Sequence, residues 1–247
     1  MKKFTVFFTI ITISFMFFSL RVSAEEGYFI NSNGVTFSQD EYDFVSRLVY
    51  EGYQNFMEQN DFDFIFRNGI SPTSIIEDGY FYPTNNIELY STSHTTSSKT
   101  INIRKSCASS KCLISVSARW LKVANTRSYD VIGAYLHDTT LLGLPNTNLL
   151  SEAGLESITD VKLTSTGFGV SAKLPSKSES DTIEFNQMFY VEPRGTVYAS
   201  YQHAQRNVTL AQSKQYSISL SGYGNVFDFS SAVKDYYDGM GGVYINL

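Results

Sequence analysis

Three histidines, His94, His137 and His203, are the only imidazoles in the chain, and two cysteines, Cys107 and Cys112, the only thiols. Acid–base chemistry near neutral pH therefore has few places to sit. No two of the histidines are spaced two or four residues apart, so the sequence offers no local zinc pair, and no metal or other cofactor is expected. His137, followed by Asp138, and His203 are the candidate acid–base groups of an extracellular hydrolase. No Gly-x-Ser-x-Gly elbow accompanies them. The carboxylate pairs Asp61/Asp63 and Glu77/Asp78 would suit glycoside hydrolysis or calcium only if the fold set them across a cleft. Asp61-Phe62-Asp63 lacks the glycine and closing glutamate of a calcium loop, and capping of helix ends accounts for these acids.

Cys107 and Cys112 enclose four residues, Ala-Ser-Ser-Lys. In an oxidising compartment the expectation is a disulfide that pins a turn, and not a redox pair. That compartment is indicated by the N-terminus. Lys2 and Lys3 precede an uncharged, Phe/Ile/Leu-rich run from Phe4 to Leu20, and Val22-Ser23-Ala24 supplies small residues for cleavage between Ala24 and Glu25. This is the layout of a secretory signal peptide. A secreted, extracellular product of bacterial origin is expected, with no transmembrane segment after cleavage. Asn207-Val208-Thr209 fits the glycosylation pattern, which matters only in a eukaryotic source.

Charge is unevenly spread. Residues 25–90 carry twelve acidic residues against Arg47 and Arg67, a balance of minus ten. Residues 91–247 carry fourteen basic and twelve acidic residues, a balance of plus two. Lys99, Arg104, Lys105, Lys111, Arg119, Lys122 and Arg127 occur with no carboxylate before Asp130. Such a block suits an anionic polymer, a glycan-bearing surface or a partner protein, or else the chain's own acidic segment. Nucleic acid is not expected, because the chain is acidic overall and has no recognisable binding motif. Trp120 with Tyr198, Tyr201, Tyr216 and Tyr223 could make an aromatic platform for sugar rings, or fill the core as cross-strand pairs.

The elements that must position these residues follow from periodicity. Ser38-Gln39-Asp40-Glu41 is a capping box, and Val45, Leu48, Val49, Gly52 and Phe56 then fall at helical spacing. A helix is predicted from Gln39 to Gln59, with a shorter one capped by Asn60. Beyond the polar stretch 91–98 the period becomes two. Ile101 and Ile103 alternate with polar neighbours, and Ile114, Val116, Ala118 and Trp120 share one face. Tyr129 to Leu136 reads as a central strand, and 141–155 as loop. Further short strands follow at 168–174, 183–191, 197–201, 216–220, 226–229 and 243–245, separated by turn residues.

The expected fold is mainly β: an antiparallel β-sandwich, jelly-roll or Ig-like, with an N-terminal α-helical segment packed on it. The expected division is a signal peptide (1–24), an acidic helix-containing segment (25–90), a polar linker or loop (91–98) and a β-sandwich domain (99–247). The leading functional expectation is a secreted non-enzymatic binding protein, with the basic block as first contact. The alternatives are a membrane-active protein inserting hairpins from strands such as 112–123 or 164–174, and the hydrolase using His137 or His203.

Overall fold

The computed structural model describes residues 27–67, 69–81, 98–176, 182–221 and 224–247. The leader with its Ala24/Glu25 junction, His94, most of the 91–98 stretch and Tyr223 lie outside them. A two-stranded hairpin of β1 (Tyr28–Ile30) and β2 (Thr36–Ser38) leads into three helices, α1 (Gln39–Leu48), α2 (Glu51–Phe56) and α3 (Gln59–Phe66). Ser38 and Glu41 close the capping box at the start of α1.

The single helix predicted over 39–59 is broken. Val49 adopts an extended conformation (φ −126°, ψ 173°), Tyr50 is extended as well, and α2 starts anew at Glu51. The break turns the chain so that Leu48, Tyr53 and Met57 are all fully buried, which one straight helix of this sequence would not achieve. The next helix is capped by Glu58 and Asp61, not by Asn60.

The remaining regular structure is strand, apart from a short helix (Leu210–Ser213) and a 3-10 turn (Lys234–Tyr236). β3 (Ile76–Asp78), β5 (Lys99–Ala108), β6 (Lys111–Trp120), β12 (Glu184–Val191), β8 (Asn146–Ser151) and β9 (Gly154–Ser157) form one sheet in that spatial order. β10 (Val161–Thr164), β11 (Gly167–Lys173), β7 (Tyr129–His137), β13 (Thr196–Gln202), β16 (Val243–Asn246) and β4 (Tyr80–Phe81) form the second. Every pairing is antiparallel. The mainly-β, antiparallel expectation therefore agrees with the structure. Gly79 alone separates β3 from β4, where the chain passes from one sheet to the other. A Cβ there would lie 2.3 Å from Ile103 Cγ2, so only glycine lets the crossing strand approach this closely.

Inward residues of both sheets make one hydrophobic cluster, including Ile101, Ile114, Val116 and Phe185 from the first and Ile132, Phe168, Val197 and Ile245 from the second. Leu113, Met188 and Tyr190, on the other face of the first sheet, join Phe44, Val45, Leu48 and Tyr53 of the helices. Outside the second sheet, the hairpin of β14 (Tyr216–Ile218) and β15 (Phe227–Phe229) packs with Val131 and Tyr237.

The segment 141–155, predicted as loop, instead contains β8 and β9. Asn146, Thr147 and Asn148 hide the alternation because their polar side chains are satisfied by neighbours. Asn148 donates to Tyr53 Oη, and Gln187 donates to Thr147. Cys107 and Cys112 face each other in register across the β5–β6 hairpin as a disulfide pair. The short loop it closes limits its value: reduction, or replacement of both residues by alanine, should lower stability by about 2 kcal/mol in the chain-entropy account. A shifted urea midpoint with unchanged slope would register this. Among the described residues no helix is long and apolar enough to cross a membrane.

Candidate functional site

Lys99 and Trp120 are cross-strand partners at one end of the β5–β6 ladder, with side chains on the inward face. Opposite them stand Asp130 of β7, Tyr201 of β13 and His203, just beyond the end of that strand. A hydrogen-bonded chain joins the two sheets here. Trp120 Nε1 donates to Tyr201 Oη (2.8 Å), and the Tyr201 hydroxyl donates to Asp130. Asp130 also accepts from His203 Nδ1 (2.9 Å) and from the Ala204 amide (3.0 Å), and it is wholly buried. A carboxylate only accepts, so the proton lies on Nδ1, and Nε2 is the acceptor of the neutral ring.

A second carboxylate completes the arrangement. Asp238 accepts from the His203 amide (3.0 Å) and pairs with the buried ammonium of Lys99. That ammonium also lies 5.2 Å from the Trp120 ring centroid and 5.5 Å from that of Tyr201, within reach of a cation–π attraction. His203 meets Trp120 edge to face, with centroids 4.6 Å apart. Desolvation, then the negative charge of Asp130, holds the Tyr201 hydroxyl well above the usual phenol range, so it remains a donor.

These groups open on a concavity of about 380 Å³ lined by Lys99, Trp120, Lys122, Asn125, His203 and Asp238, among others. Chemically it offers an aromatic edge, an exposed cation on Lys122, amides, and an imidazole held rigidly by a carboxylate. Among the described residues no hydroxyl or thiol bonds His203 Nε2, so no nucleophile–base pair is assembled. Nor does any cluster of three or more His, Cys, Asp or Glu among them have the makings of a metal site.

The residues singled out from sequence are distributed as follows. Within the basic block, Arg104 pairs with Asp78 (2.8 Å) and Lys105 with Glu77 (3.1 Å), both carboxylates of the acidic segment. Lys111 lies 5.4 Å over the Tyr190 ring, and Arg119 lies 5.8 Å over Tyr50 and 4.0 Å from Glu184. Arg127 donates to the carbonyls of Ala124 and Pro175. Only Lys99 and Lys122 of the seven border the concavity. Among the aromatic candidates, Trp120 and Tyr201 join the site. Tyr198 and the buried Tyr216 belong to the cluster outside the second sheet, Tyr198 stacking on Tyr244. His137 is exposed, 3.5 Å from the exposed Asp138.

Asp130 and Asp238 are not among the residues that the sequence singles out. Asp130 carries one usable signal, a charge on the inward face of a strand otherwise apolar on both sides. Asp238 carries none. In comparisons with known proteins the chain matches no protein-family model and no curated protein.

Proposed function

We propose that the protein is an exported β-sandwich of immunoglobulin-like strand order that binds extracellular glycan or other anionic polymer in the concavity beside Trp120. The order β5-β6-β12-β8 corresponds to the A-B-E-D sheet of that fold, and β7-β13-β16 to C-F-G, with β10 and β11 extending the second sheet. Export rests on the leader sequence. The observation that carries the binding reading is the convergence, in one concavity, of an aromatic edge, planar amides and the exposed cation of Lys122. Such a mixture suits a ligand with apolar ring faces and many hydroxyls.

Titration of the protein with a panel of neutral and acidic polysaccharides tests the reading. Trp120→Ala should weaken binding roughly tenfold or more, as loss of a central aromatic does. Lys122→Ala, an exposed change that leaves the fold intact, should weaken only acidic ligands and make their affinity less salt-dependent. Equal affinity in both variants, or no affinity for any member of the panel, refutes the proposal. One observation favours a second reading as a hydrolase: His203 is held by Asp130 as an oriented base is held in catalytic triads. Turnover of glycan esters or glycosides that disappears in His203→Ala would select it.

A further inference from the structure

A second polar assembly lies on the other face of the first sheet, beneath the helices. In register across β5, β6, β12 and β8, Asn102, Ser117, Asn186 and Asn148 form a row. The adjacent row is Thr100, Arg119, Glu184 and Leu150. The helical side meets them with two phenols: Asn102 donates to Tyr50 Oη (2.6 Å) and Asn148 to Tyr53 Oη (3.0 Å). Ser117 donates to Asn186 Oδ1 (2.9 Å). Three buried atoms in this small region have no protein partner among the described residues: Asn102 Oδ1, Asn186 Nδ2 and Glu184 Oε1. Unpaired buried polar atoms disfavour the closed arrangement and are relieved when water reaches them.

Glu184 is the pivot. α2 has no capping side chain of its own, and the backbone amide of Tyr53, in the helix's first turn, favours the charged form of the Glu184 carboxyl. Gly52 permits the contact: a Cβ there would lie 3.0 Å from Leu150 Cδ2 and 3.4 Å from Glu184 Oε2. The charged and titratable groups facing Glu184 are few. Arg119 of β6 stands 4.0 Å away with its own side chain half exposed, Tyr50 and Tyr53 come from the helical side, and β8 contributes only Leu150.

We propose that Glu184 is a proton-operated latch for the segment 50–57: protonated, it stays seated beneath α2, and ionised, it draws water into the polar row and loosens that segment from the sheet. Burial opposes the charged form more strongly than Arg119 and the Tyr53 amide favour it, which pushes the carboxyl up to about 7. Acid therefore closes the cover, and a rise in pH from the ordinary carboxylate range to about 7 loosens it, levelling off above that. The latch is independent of the Trp120 concavity, which lies on the opposite face of the same sheet.

Amide hydrogen exchange of residues 50–57 between pH 5 and pH 8, corrected for the intrinsic rate, reads the latch directly. Protection should fall about fifty-fold over that interval, while the β6 and β12 amides hold theirs. Glu184→Gln should abolish the pH dependence in this segment. Arg119→Gln, a half-exposed change, removes the opposing cation and should move the pH at which protection levels off upward. Unchanged protection in the wild type, a pH dependence that survives Glu184→Gln, or a levelling point unmoved in Arg119→Gln each overturns the latch. Should Glu184→Gln fail to fold, the Arg119→Gln profile decides alone.

Discussion

Replacing Asp130 with alanine should destabilise the protein by about 3–5 kcal/mol, among the largest effects expected of any single change. Asp130 is wholly buried and accepts from three donors, the Tyr201 hydroxyl, His203 Nδ1 and the Ala204 amide. Its loss leaves all three without their acceptor, and stranding a buried donor costs more than the same bond contributes when made. The effect spreads, because Tyr201 also receives Trp120 Nε1, and His203 packs edge-on against Trp120. Asp130→Asn, with the same shape, keeps an acceptor oxygen but places an NH₂ where another donor points, so its loss should fall between alanine and wild type. Denaturant unfolding measures both. A loss below about 1 kcal/mol for the alanine variant would mean that the network is hydrated and contributes little. Near-ultraviolet dichroism of Trp120 should change in step with the unfolding data, since the Tyr201 hydroxyl and the His203 ring that border the indole lose their shared anchor.

The same residues explain how far the sequence could be read. Ile114, Val116, Ala118 and Trp120 do share the inward face of β6, because a strand buried on that face must alternate and its alternation survives as a pattern. The other face misleads. Ser115, Ser117 and Asn186 are polar side chains, yet each is almost wholly buried beneath the helical cover. A polar side chain reports that it has a hydrogen-bond partner and not whether that partner is water, so a covered polar face and an open one look alike in sequence. The same ambiguity concealed β8, whose Asn146 and Asn148 are held by Asp61 of α3.

The candidate site was legible only in fragments. Lys99, Trp120 and His203 each stood out, but for three unrelated reasons: a run of cations, a lone indole, a scarce imidazole. Nothing in their spacing joins positions 99, 120 and 203, because their meeting depends on which strands face each other across the interior. The run of cations was visible as a block and dispersed by register. Strand alternation sends Lys99 inward to Asp238, while Arg104 and Lys105 meet Asp78 and Glu77 on β3, paired beside them. A linear cluster of charge on two adjacent strands is divided between faces by the period of two, so it predicts no single patch.

Glu184→Gln should change the pH dependence of global stability by about 3 kcal/mol, the second large effect. The Glu184 carboxyl moves from an ordinary value of 4.5 to about 7 on folding, so between those values the folded chain holds a proton that the unfolded chain has released. Its favourable contribution is therefore complete below the ordinary value and is lost as pH rises to about 7. The amide variant cannot titrate. Its stability relative to wild type should climb by about 3 kcal/mol between pH 4.5 and pH 8 and stay level beyond, as the two carboxyl values imply. Other titrating groups act on both proteins and cancel in the difference, which makes this comparison firmer than either curve taken singly. The fixed part of the substitution, an amide in place of a carboxyl beside the Tyr53 N–H, shifts the difference without tilting it. Urea unfolding of both proteins across that range supplies the measurement. A difference that stays flat would show that Glu184 keeps an ordinary acidity, with water already at Oε1 and Arg119 near enough to hold the charge.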